Sequence, residues 1–184
     1  MVMQEIEMMK VLDHPNIVKF YEVYEEKTAY YLVLELCQGG DLFDVLELKQ
    51  KLSEAEIKTY IWQILLAVNY LHNKNIAHLD LKPENFMFPS KGSRNLKVID
   101  FGLAKAFTPD QKLTDIAGTP YYMSPEVMEQ SYTSKCDMWS IGVILYTMVT
   151  GEYPFDGSNE DEIFSAIKKG EYNKDLFMEE KMSE

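Results

Sequence analysis

The chain has 184 residues, 46% of them hydrophobic and 26% charged, and carries a formal net charge of −12. That length supports one domain with a substantial core, or part of a larger one, while the acidic balance argues against general affinity for nucleic acid or an anionic membrane. Cys37 and Cys136 form no CxxC or metal-ligand spacing, so two reduced packing thiols in an intracellular, cytoplasmic protein are expected.

The first residues, MVMQEIEMMK, carry acids where a signal peptide carries bases. Residues 3–12 read as a short helix stopped by His14-Pro15. VKFYEVYE (18–25) and AYYLVLEL (29–36) are rich in β-branched and aromatic residues and have only EKT between them, which predicts a hairpin. Gly39-Gly40 break the chain, and Asp41 caps a short helix, LFDVLELK. Ser53-Glu54-Ala55-Glu56 is a capping box. It opens the clearest helix, with Ile57, Tyr60, Ile61, Ile64, Leu65, Val68 and Leu71 at helical spacing.

After HLDLKPEN (78–85) come FMF (86–88) and LKVI (96–99), joined by the turn-like PSKGSRN, a second predicted hairpin. Residues 103–125 are long and irregular, the kind of stretch that in a compact domain carries function. MWSIGVILYTMV (138–149) predicts a buried helix ended by Gly151; it is also the longest apolar stretch, and too short to span a bilayer. An amphipathic helix over 160–169 stops at Gly170, with an acidic tail beyond it.

The second hairpin concentrates chemistry. Asn85 precedes its first strand and Asp100 follows its second, so an antiparallel pairing sets them side by side. Amide and carboxylate oxygens there suit a hard cation such as Mg²⁺. Asp80 and Lys82 lie on the tight loop leading to the same edge, adding a base and a mobile cation. Phosphoryl transfer needs these parts, because its catalysis is mostly positioning and neutralising phosphate charge. His78 reads as a buried hydrogen-bonding residue, His72 as a helix-ending residue without a metal-spaced partner, and Met9, Phe20 and Phe101 as core.

HLDLKPEN resembles the catalytic loop of eukaryotic protein kinases, H-R-D-L-x-x-x-N, and Asp100-Phe101-Gly102 resembles their D-F-G. Gly118-Thr119-Pro120-x-Tyr122-x-Ser124-Pro125-Glu126 is similar to the end of the activation segment, with SPE for A-P-E, and Asp137-x-Trp139-Ser140-x-Gly142 to the start of the following helix. LDHPNIV, ELCQGGDLF, PENFMF and GTPYYMSPEV resemble the calmodulin-dependent and calcium-dependent protein kinase group most. The resemblance implies an α+β, protein-kinase-like fold. A mostly helical C-lobe (37–184) lacking its last helices would follow an incomplete N-lobe (1–36) of one helix and a β-hairpin.

It also implies serine/threonine kinase activity with ATP and Mg²⁺, on proteins or peptides that have basic residues near the phosphoacceptor if Glu84 and Asp41 face them. Asp80, Lys82 and Asn85 would be catalytic, and Asn85 and Asp100 would hold the metal. Leu34 would be the gatekeeper, with Glu35, Leu36 and Cys37 facing adenine, Asp41 near the ribose, and Met87 and Glu5 completing the nucleotide site.

The 184 residues depart from the family in three ways. No G-x-G-x-x-G and no V-A-I-K lysine occur, so Glu5 has no visible cation to pair with and truncation at both ends is expected. Glu126 is expected to lack its usual arginine partner. Leu79 stands where the family has the arginine that binds a phosphorylated loop residue, so phosphorylation of Thr108 or Thr114 is not expected to act through position 79. No D-x-[DN]-x-[DN]-G calcium loop occurs. Reduced activity therefore stands beside a second reading, a non-catalytic kinase-like binding or regulatory module. A metal-dependent phosphohydrolase using Asp80 and Asp100 shares the ligands but leaves GTPYYMSPE unexplained.

Overall fold

A computed structural model describes residues 2–49, 52–109 and 111–179. Helix α1 (Val2–Lys10) buries Ile6 and Met9 and leads into the hairpin of β1 (Phe20–Glu25) and β2 (Tyr30–Leu34). The strands pair antiparallel, from Phe20 opposite Leu34 to Glu25 opposite Tyr30, with an irregularity between Phe20 and Glu22. One face of this hairpin packs Phe20, Leu32 and Leu34 against the core, while Tyr21, Tyr24, Tyr31 and Val33 stay exposed.

Helix α2 (Leu42–Lys49) starts where the Asp44 backbone N–H donates to the Asp41 carboxylate at 2.8 Å, the cap expected from sequence. Helix α3 (Glu54–Asn73) carries the full capping box. The Glu56 N–H donates to Ser53 Oγ, and the Ser53 N–H donates to Glu56 Oε2 at 3.0 Å. Its buried stripe of Ile57, Tyr60, Ile64, Ala67, Val68 and Leu71 faces α5 (Cys136–Thr150), which is buried nearly all round. Gly151 ends α5 in the left-handed conformation, φ 79°. Helix α4 (Pro125–Met128) is a single turn, and α6 (Glu160–Lys169) stops at Gly170.

Two features differ from the sequence reading. A helix, α7 (Lys174–Glu179), occupies part of the expected acidic tail, whose last residues, 180–184, lie outside the described ones. The irregular 103–125 segment contains a strand, β6 (Lys105–Ala106), paired antiparallel with β3 (Ile76–Ala77). Two-residue strands leave no periodicity to read.

The predicted second hairpin is present: β4 (Phe86–Met87) pairs antiparallel with β5 (Lys97–Val98), Phe86 opposite Val98. A continuous apolar core runs from Met9 and Leu12 through Ile17, Phe86, Val98 and Phe101 to Ile144 and Ile167. A second, smaller cluster joins Leu79 to Leu113, Met123, Val127, Tyr132 and Cys136. Among the described residues no helix is long and apolar enough to cross a membrane.

Candidate active site

The loop between β3 and β4 carries the densest polar network. Asp80 Oδ1 accepts the Thr119 hydroxyl at 2.7 Å. Lys82 Nζ lies 3.0 Å from Asp80 Oδ2 and donates to Thr119 Oγ1 at 3.0 Å, closing a triangle of carboxylate, ammonium and hydroxyl. Asn85 Nδ2 donates to the Asp80 carbonyl at 2.8 Å and approaches Asp80 Oδ2 at 3.3 Å. Pro83 opens a short 3₁₀ turn, Pro83–Asn85, that delivers Asn85 to the start of β4.

The hairpin does what its spacing predicts. The Ile99 N–H donates to the Asn85 carbonyl at 3.1 Å, so Asp100, the next residue, emerges at the same edge. Asp100 is exposed, and its Oδ1 accepts the Gly102 N–H at 2.9 Å, whereas Phe101 is buried against His78 with ring centroids 5.3 Å apart.

Asp137, the buried acid opening α5, holds the loop from below. Its carboxylate accepts the backbone N–H groups of His78 and Leu79, each at 2.9 Å, and touches His72 Nε2 at 2.7 Å. His72, expected only to end its helix, therefore has a partner 65 positions away. His78 is fully buried; its Nδ1 accepts the Asp80 N–H at 3.3 Å, and its Nε2 has no hydrogen-bond partner among the described residues. Burial, against the carboxylates of Asp137, Asp80 and Asp100, holds its pKa below the usual histidine value. Gly118, next to Thr119, has φ 118°, and a Cβ there would sit 2.8 Å from the Leu79 carbonyl oxygen. Only glycine lets the two segments meet so closely.

The remaining residues singled out from sequence lie at the end of β2 and just after it, on β4 and on α1. Leu34 is half-buried at the end of β2. The Glu35 side chain is tied to Lys97 at 2.8 Å, with its own N–H donating to the Lys19 carbonyl. Cys37 is partly covered, and burial and then the Glu35 carboxylate push its thiol pKa up, as for a packing thiol. Asp41 bridges to Met87 across antiparallel backbone, one residue beyond Phe86 and two beyond Asn85. Glu5 on α1 makes no ion pair among the described residues. Burial and then the negative charge of Asp100 raise its carboxyl pKa.

Comparison with known proteins agrees with this geometry. The family described as protein kinase domain matches residues 1–184. The chain belongs to the protein kinase family. It is 46% identical over 170 residues to calcium-dependent protein kinase 5 of Plasmodium berghei, covering 92% of this chain and 30% of that protein. It is 42% identical over 185 residues to calcium-dependent protein kinase 4 of Plasmodium falciparum, covering 100% of this chain and 35% of that protein. Calcium-dependent protein kinase 3 of Plasmodium yoelii yoelii gives 46% identity over 172 residues, 92% of this chain and 32% of that protein. The kinase chain thus spans about a third of the length of the curated relatives it matches.

By family this is a serine/threonine kinase domain, and the family uses ATP with Mg²⁺. The donor set fits such a cation: Asn85 spends its Nδ2 on the Asp80 carbonyl, which leaves its amide oxygen, and Asp100 engages one carboxylate oxygen locally, which leaves the other. Thr119 is the residue sequence reasoning undervalued. It was legible as part of GTPYYMSPE, but its bond to Asp80 spans 39 positions.

Proposed function

We propose that these residues form the phosphotransfer half of a serine/threonine protein kinase, with residues 1–36 contributing the upper lobe and 37–184 the lower. The Asp80–Lys82–Thr119 triangle carries this reading, because it offers a base and a cation to one reacting hydroxyl. Asp80 accepts the proton of the substrate hydroxyl as that oxygen bonds to the γ-phosphorus and the bond to the ADP oxygen breaks. Lys82 steadies the phosphoryl group in transit. A divalent cation held by Asn85 and Asp100 supplies neutralisation of phosphate charge.

In the same reading the backbone at Glu35 and Cys37 receives adenine, with Leu34 behind it, Met87 beneath and Asp41 toward the ribose. Glu5 waits for a cation that neutralises the phosphates. Glu84 and Asp41 favour basic residues beside the phosphoacceptor, in keeping with the acidic charge. The relatives' printed names describe calcium-dependent kinases, and calcium control of this chain would act from outside the 184 residues.

The test is phosphorylation of a basic serine/threonine peptide by the chain with Mg-ATP. Asp80→Asn should lower the rate by ~10²–10⁴-fold, the range for losing a general base. Glu5 has no ion pair among the described residues, which favours low activity of these residues alone. It also keeps a second reading in play, a kinase-like module that binds peptides without phosphorylating them. Peptide binding without any transfer, insensitive to Asp80→Asn, would establish that second reading.

A further inference from the structure

Leu79 has a backbone that its side chain does not favour. Its φ is 69°, in the left-handed region, where a residue other than glycine carries strain. The strain is held in place, since the Leu79 N–H donates to buried Asp137 and the Leu79 carbonyl oxygen sits under Gly118. The twist turns an apolar side chain, 6% exposed, into the smaller cluster. The same cluster holds Leu113, the buried residue of an otherwise exposed run over 111–116.

Leu113 is fastened in turn. Its N–H donates to the Tyr132 carbonyl at 2.8 Å, and the Tyr132 N–H donates back at 3.1 Å. The Tyr132 hydroxyl donates to the Asp115 carbonyl at 2.8 Å, and the Asp115 carboxylate pairs with Lys105. The segment that ends in Thr119 thus shares the Leu79 cluster at Leu113 and passes close to the Leu79 carbonyl oxygen at Gly118.

We propose that Leu79 is a positioning residue of the phosphotransfer site: its side chain packs into the cluster that holds Leu113 and Tyr132, and so keeps Thr119 against Asp80. This rests on the kinase reading for its consequence, whereas the clasp itself is a property of the fold.

Amide hydrogen exchange of the 184-residue chain tests it without requiring activity. Leu79→Ala should speed exchange over 113–119 by at least ~10-fold, the factor that losing one buried leucine gives to a local opening. Exchange in α3 and α5 should hold, and Leu79→Met should restore the slow rate. Leu113→Ala, made from the loop side, should reproduce the effect and decides the matter if the Leu79→Ala protein fails to fold.

Leu79→Gly separates side chain from backbone. Glycine suits φ 69°, so slow exchange in that variant would overturn the clasp, as would equal acceleration in α3 and α5 or none over 113–119. In phosphorylation assays Leu79→Ala should raise the peptide KM and lower kcat, with the ATP KM unchanged. Failure of the wild-type chain to phosphorylate any peptide would favour the non-catalytic reading of the site and leave the exchange result to judge the clasp.

Discussion

The Asp137 carboxylate accepts the backbone N–H of Leu79 at 2.9 Å across 58 positions of sequence. Its other oxygen takes the His78 N–H and touches His72, so one buried side chain fixes the strained start of the catalytic loop. Asn at this position presents one acceptor oxygen and turns an NH₂ toward a backbone donor. Asp137→Asn should cost roughly 3 kcal/mol, which at this size lowers Tm by about 6–12 °C. Thermal unfolding followed by circular dichroism measures it, and a Tm within a degree of wild type would remove Asp137 from this role.

Thr119 bridges Asp80 and Lys82 with one hydroxyl. Thr119→Val keeps the shape and deletes the bridge, so kcat for a peptide should fall ~10–100-fold, the equivalent of a 1.5–3 kcal/mol hydrogen bond to a charged group. Thr119→Ser should recover most of it. Equal kcat in the valine and serine variants would show that the hydroxyl is idle.

Burial holds the His78 pKa below its ordinary value, whereas an unfolded histidine titrates near ~6.5. Below about pH 6.5 the unfolded chain therefore binds a proton that the folded chain refuses, and stability falls as pH drops through this window. His14, held down by burial and then by Lys97, adds in the same direction. Urea midpoints at pH 7.5 and 5.5 should show the drop, and His78→Asn should shrink it. An undiminished drop in that variant would assign the effect elsewhere.

The Glu56 carboxyl is pulled down to about 2, first by its hydrogen bond to Lys49 and then by those to Ser53. Its contribution is present above the unfolded value near ~4.3 and is lost as pH falls toward 2. Both partners touch solvent, so the loss is about 1 kcal/mol or less. Ser53→Ala removes the reciprocal cap and should cost about 1 kcal/mol at neutral pH, read from the urea midpoint. A neutral effect of that change would mean that α3 is held by packing alone.

Short-range physics was legible in the sequence. The Ser53 capping box, the helical stripe from Ile57 to Leu71 and the turn-linked hairpin at 86–99 each rest on contacts within a few positions, and each is present. The hairpin then carried the long-range inference that Asn85 and Asp100 share an edge. What escaped depends on separations that no local pattern encodes. The pairing of Ile76 with Ala106 leaves two residues per strand, and His72 finds Asp137 only because α3 packs on α5. Leu79 was legible as an oddity among charged residues, yet its left-handed backbone and its place in one cluster with Leu113 required the fold.

The upper segment meets the β4–β5 hairpin at two places. Near residues 16–18 the Val18 N–H donates to the Val98 carbonyl and the Val98 N–H donates to the Asn16 carbonyl, both at 2.9 Å, with Asn16 Nδ2 also bonded to Gln63 on α3. Near residues 38–40 the Gly39 N–H donates to the Phe88 carbonyl and the Phe88 N–H donates to the Gly40 carbonyl, again at 2.9 Å. The stretch between these two places is thus fastened to the hairpin at both ends by paired backbone bonds, and it cannot leave the hairpin without breaking four of them.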